Sequence, residues 1–150
     1  MDERSRSALV VRAILLTASL SNGVIGVWAT VAPRGWYDDF PGLGKHWVAV
    51  EGPYNEHLVR DIGAWSLALT VLTLMAAWAL ERRFLIAAGV ALAIQGAAHA
   101  QHHLSADNPF DSTSDLAQAV SGIVLLGVLG VVVAVLAYRS SPPSSGPAQT

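Results

Sequence analysis

Phe84-Leu-Ile-Ala-Ala-Gly-Val-Ala-Leu-Ala-Ile-Gln-Gly-Ala-Ala-His-Ala-Gln-His-His-Leu104 runs for 21 residues without a Lys, Arg, Asp or Glu. About 20 predominantly apolar residues carry an α-helix across the hydrocarbon core of a bilayer, so this stretch predicts a transmembrane helix over 84–104. Its last third is of another kind. At about 100° per residue, Gln95, His99, His102 and His103 fall within one stripe of the helix. A crossing that ends in imidazoles needs polar neighbours to face them, and the flanking sequence supplies candidates.

Upstream, Pro53-Tyr-Asn55 opens a helix over 56–80, with Asn55 as N-cap. It begins with Glu56, His57, Arg60 and Asp61 and turns apolar from Ile62 to Leu80; Glu81-Arg-Arg83 is the tight break before the next crossing. Downstream, Ser105 to Ser114 is a polar turn that includes Asp107-Asn-Pro-Phe-Asp111. Ser112 and Asp115 stand in capping-box spacing at the head of a helix over 115–138. At the other end of the chain, residues 1–8 form a polar lead, and Leu9 to Ala32 run apolar apart from Arg12 and Asn22. A cleaved signal peptide is the rival reading, because Ala29-Thr-Val-Ala32 resembles a small-residue cleavage site. The apolar run exceeds the usual h-region of about 7 to 15 residues and three more crossings follow, so the helix over 9–32 is expected to stay. Residues 139–150, rich in Ser, Pro and Gly, read as a disordered tail. The expectation is an all-α fold: a four-transmembrane-helix bundle, up-down-up-down, within residues 9–138.

Pro33 ends the first helix, and 33–55 is too long for an unstructured connection in a small bundle. Trp36, Tyr37, Phe40 and Trp47 argue for an ordered aromatic cap lying on the membrane. Trp36, Tyr37, His46 and Trp47 read first as interfacial anchors and second as substrate contacts.

Composition agrees with a membrane protein. Hydrophobic residues make up 53% and charged residues 13%, with a mean hydropathy of +0.45, against about 25% charged in soluble domains. The net charge of -2 and a longest basic run of Arg82-Arg83 leave no footprint for nucleic acid. With no cysteine, a metal site must use imidazole, carboxylate or amide oxygen. Arg4, Arg6, Arg12, Arg82, Arg83 and Arg139 lie on the side of the termini and the middle turn; Arg34, Lys45 and Arg60 lie on the other. The positive-inside rule then puts both termini in the cytoplasm and the cap outside the cytoplasmic (inner) membrane.

In that topology the end of the third crossing and the starts of the second and fourth converge on one polar pocket. His57, Asp61, His99 and His103 are its candidate metal ligands, with His102, Glu56 and Asp115 as further ones; Gln95 and Gln118 line it. The spacing His99-x-x-x-His103 places two imidazoles one turn apart, the arrangement of a chelating pair, and the pairs Glu56/Arg60 and His57/Asp61 are likewise one turn apart. A divalent transition metal is the leading cofactor. Haem b or quinone is the second, and haem would need His57 opposite His99 or His103. The competing structural reading makes Glu56–Arg60 an interfacial ion pair, Asp61 an orienter of His57, the histidines satisfied bundle residues, and Gly63, Gly89, Gly96 and Gly122 helix-packing positions. Asn22 reads as an interhelical hydrogen-bonder. No serine or cysteine nucleophile, phosphate-binding loop or charged pore is evident.

Asn55-Glu-His-Leu-Val-Arg-Asp-Ile-Gly63, the late Ala98-His-x-x-x-His103 segment and the first loop Trp36-Tyr-Asp-Asp-Phe-Pro-Gly42 resemble small bacterial four-helix membrane proteins of the DoxX-like kind. The likeness covers most of residues 10–137 through short motifs, and is greatest to uncharacterised actinobacterial members. It implies a four-helix bundle in the cytoplasmic membrane and, for some relatives, a link to quinone or sulfur redox chemistry. The lack of cysteine leaves sulfur relay without a protein thiol. The functional expectation is therefore a metal-dependent or redox accessory protein of the membrane. Its alternative is a non-catalytic protein packing against itself or a partner subunit, the lipid bilayer being its surroundings in either case.

Overall fold

A computed structural model describes residues 3–105, 109–110 and 112–139. The tail from residue 140, and Asp107 and Asp111 of the polar turn, lie outside the described residues. The elements are α1 (Glu3–Val31), α2 (Pro33–Asp39), a two-residue hairpin of β1 (Pro41–Gly42) and β2 (Lys45–His46), a 3-10 turn (Ala49–Glu51), α3 (Glu56–Ala79), α4 (Arg82–His103) and α5 (Thr113–Arg139). The four long helices α1, α3, α4 and α5 are each apolar and long enough to cross a membrane, the make-up of a multi-pass membrane protein.

Local chemistry sets the helix ends. Pro33 occupies the first turn of α2, where its missing N–H costs nothing. The Asn55 carboxamide accepts from the Leu58 N–H at 3.3 Å and starts α3. Leu80, in the left-handed region at φ 50°, ends it while its N–H donates to the Ala76 carbonyl. The Ser112 hydroxyl accepts from the Asp115 N–H at 3.3 Å, as the capping spacing requires. α1 begins at Glu3, ahead of the first apolar residue, and takes in most of the polar lead.

The spans are inverted relative to a soluble bundle. Only 22–28% of each apolar window is buried, and Trp78, Val31 and Trp65 stand on the outer surface. Between the helices lie small and hydroxyl-bearing residues, because lipid tails are as apolar as leucine and close backbone approach provides the attraction. A Cβ on Gly89 would come within 2.6 Å of the Gly130 carbonyl, and one on Gly96 within 2.7 Å of the Gly127 Cα, so α4 and α5 touch backbone to backbone. Between α1 and α3, Gly26 receives Leu67, Gly63 receives Thr30, and the Ser19 and Thr73 hydroxyls share a 2.7 Å hydrogen bond. Two of the expected roles differ. A Cβ on Gly122 would meet nothing within 4 Å, so that glycine is not a packing position among the described residues. The buried Asn22 amide donates to the Ala18 carbonyl of its own helix at 3.0 Å instead of across to a neighbour.

Two sets of contacts tie the spans together. In one, Val11 and Leu15 of α1 pack with Ala76, Ala77, Leu85, Ala88, Val133 and Ala137, and Arg12 Nε donates to the Ala77 carbonyl at 3.0 Å. In the other, Ala29, Trp36 and Val59 pack with Trp28, Tyr37, Phe40 and Tyr54, and Arg60 donates to the Thr30 carbonyl at 2.7 Å. The cap belongs to the second set.

Candidate functional site

The segment between α1 and α3 is an ordered cap. Its hairpin turns through Gly42, Leu43 and Gly44, all with positive φ. The Trp47 N–H donates to the Phe40 carbonyl at 2.8 Å, and Trp28, Trp36, Phe40 and Trp47 form a chain of tilted and edge-on rings. The single proton of the Tyr37 hydroxyl is shared between the Gly52 carbonyl, the closer acceptor, and the Ala49 carbonyl at 3.3 Å, and so ties the hydroxyl to both ends of the 3-10 turn. Asp38 accepts from Arg34 Nε at 2.7 Å; that hydrogen bond and the carboxylate's charge raise the Arg34 pKa, and the guanidinium lies over the Tyr54 ring at 4.9 Å. Half-burial, and then the Glu56 carboxylate, push the Tyr54 phenol above its usual value. On the far side Lys45 Nζ pairs with Asp115 and joins the cap to the first turn of α5.

Pinned in this way, the 3-10 turn ends on Glu51, whose carboxylate meets the histidines at the end of α4. Glu51 Oε2 lies 3.0 Å from His102 Nε2, and Oε1 lies 3.4 Å from His103 Nδ1. His103 is 7% exposed, and its Nδ1 is buried without a hydrogen-bond partner. Its other nitrogen, Nε2, is 3.1 Å from His99 Nε2, one turn earlier. Phe110 sets its ring against His103 at 5.6 Å between centroids, and Trp47 packs on Phe110 at 6.2 Å. Among the described residues, Glu51, His102 and His103 are the group whose donor atoms all lie within 4.8 Å of one another. Donors bonded to one tetrahedral ion at about 2.0–2.1 Å stand about 3.3 Å apart, so with one donor atom from each residue the widest separation in this group has to close by about 1.5 Å at most.

The expected residues divide. His99, His102 and His103 come together as the stripe predicts. His57 pairs with Asp61 at 3.4 Å on an exposed face of α3, with side chains 83% and 51% exposed. Glu56 pairs with Arg60 at 2.8 Å, the interfacial ion pair of the structural reading. His57, Asp61 and Glu56 are therefore engaged on α3 itself. Asp115 is held by Lys45, and Gln118 faces outward. Gln95 is half-buried one turn before His99, with its carbonyl oxygen unpartnered. His46 leans on the Asp38 carbonyl, away from the imidazoles. Sequence reasoning missed Glu51, Lys45 and Phe110. The one available signal is that Glu51 is the sole carboxylate between Asp39 and Glu56.

Comparison with protein-family models, curated protein sequences and solved structures returned no match for this chain.

Proposed function

We propose that this is a protein of the cytoplasmic membrane with four spans, up-down-up-down and both termini in the cytoplasm. At its outer end it binds one divalent transition-metal ion for redox or metal-assisted chemistry. The ligands are Glu51, His102 and His103. The observation that carries the reading is the buried Nδ1 of His103, which lies 3.4 Å from Glu51 Oε1 without a hydrogen bond, with His102 on the same carboxylate. A buried polar atom without a partner costs about 1–3 kcal/mol, and an ion between it and the carboxylate would remove that cost. Imidazole with carboxylate suits zinc, copper, nickel or iron, and imidazole–carboxylate sites need no thiolate. The arginine distribution supports the orientation, and the DoxX-like resemblance is in keeping with the four-span placement. A haem ligand pair of His57 with His99 or His103 is not adopted, since the His57 ring engages Asp61.

A second reading has its own support: the same Glu51–His102 contact fastens the cap to α4 without any ion. Elemental analysis and zinc titration of the protein purified in mild detergent separate the two. One equivalent of metal in the wild type, lost in Glu51→Gln and His103→Ala, is the expected result. No bound metal, with the variants only less stable, would leave the latch; a Soret band would replace the ion with haem.

A further inference from the structure

We propose that the centre is a three-ligand one with a coordination position open to a small exogenous oxygen or nitrogen donor, and that His99 is a positioning residue for His103 and not a ligand. This rests on the metal reading above. An imidazole directs its two nitrogens to opposite sides of the ring and can give one to a given ion. His103 has Nδ1 at 3.4 Å from Glu51 Oε1 and Nε2 at 3.1 Å from His99 Nε2. If Nδ1 ligates through its lone pair, the ring proton resides on Nε2 and is donated to His99 Nε2, which accepts it. A hydrogen bond of this kind fixes the tautomer and the ring orientation of metal-bound histidines. The pair His99-x-x-x-His103 then does not chelate; the neighbours His102 and His103 ligate, joined by Glu51 from the cap.

Two imidazoles and one carboxylate make three donors among the described residues. Closed structural zinc sites use four protein ligands, whereas three protein ligands leave the fourth place to water or substrate. The surroundings show from which side a ligand would arrive. His103 is covered by Phe110, but the His102 and Glu51 side chains are 62% and 25% exposed, so the free position opens on the His102 side. A small anion or a carbonyl oxygen would enter from that side by displacing a bound water.

The test uses the full-length protein in detergent, stripped of metal and titrated with Co2+, whose visible bands report coordination. One equivalent is expected, and azide added to the loaded protein should shift the bands saturably. His99→Ala should keep the one-to-one stoichiometry while weakening Co2+ binding about 10- to 100-fold, the usual effect of losing an outer-shell partner. His99→Gln, whose amide oxygen can still accept from His103 Nε2, should restore most of that loss and also serves if the alanine variant does not fold. A loaded spectrum that azide leaves unmoved would mean a closed site and overturn the open position. His99→Gln losing stoichiometric Co2+ would make His99 a ligand and overturn its assigned role. Failure of the wild type to take up Co2+ at all would instead sink the metal reading beneath.

Discussion

Replacing Gly89 with alanine tests whether direct backbone contact holds α4 against α5. The new Cβ would lie 2.6 Å from the Gly130 carbonyl oxygen, 2.8 Å from the Ala134 nitrogen and 3.0 Å from the Ala134 Cβ. Two of these neighbours are backbone atoms in a helix interior, so no side-chain rotation relieves them. Reaching the 3.4 Å of ordinary contact requires the helices to part locally by about 0.8 Å. Overpacking of this kind costs about 1–3 kcal/mol. Alanine's better helix propensity returns about 0.5–1 kcal/mol, so Gly89→Ala should destabilise by about 0–2.5 kcal/mol net and lie about 1–3 kcal/mol below a glycine-to-alanine change in open space. Gly122→Ala is the internal control: it gains the same propensity in open space and should be neutral or slightly stabilising. Unfolding by SDS in mixed micelles, followed by helicity and tryptophan fluorescence, compares both with wild type. If Gly89→Ala matched Gly122→Ala, tight glycine packing between α4 and α5 would be refuted.

The cap makes further predictions. Lys45→Met and Asp115→Asn should each free it from α5 and speed proteolysis of the 40–50 segment, with a double-mutant coupling of about 1 kcal/mol or less for so partly exposed a pair; additive effects would show that no bond is made. Asp115→Asn should cost the more of the two, because it also removes a negative charge from the first turn of α5. The chain has no cysteine, so Leu43→Cys at the hairpin tip and Arg83→Cys in the α3–α4 turn report topology in intact cells. An impermeant maleimide should label the first and spare the second; the reverse pattern would invert the orientation. The raised Tyr54 phenol binds its proton more tightly folded than unfolded. Its stabilising share is thus present at neutral pH and is lost as pH rises through the folded pKa. Tyrosinate absorbance of wild type and Tyr54→Phe should place Tyr54 as a late-ionising phenol, and one ionising at the ordinary pH would contradict this.

Much of the architecture was legible because bilayer helices announce themselves by composition over a fixed length, and caps by single residues such as Asn55 and Ser112. The histidine stripe was legible for a related reason: residues at i, i+3 and i+4 of one helix share a face whatever the surrounding fold. Inference across the chain was weaker. Shared polar character suggested that the head of α3 would face the histidines, whereas His57 and Glu56 find partners one turn along their own helix. Such i,i+4 pairs need no other element to be in place. Glu51 was missed because an isolated carboxylate in a loop carries no periodicity.

Hydropathy and spacing determined, without any structure, that four helices can cross a membrane, that His99, His102 and His103 share one helix end, and that an aromatic segment lies between the first two spans. Only tertiary structure decided which carboxylate meets those imidazoles. The choice depends on the Tyr37 clasp of the 3-10 turn and on the Lys45–Asp115 link, contacts between residues from 12 to 70 positions apart that set the path of the cap. It decided as well what surrounds the His103 ring, since Phe110, His99 and Glu51 meet it from three separate segments.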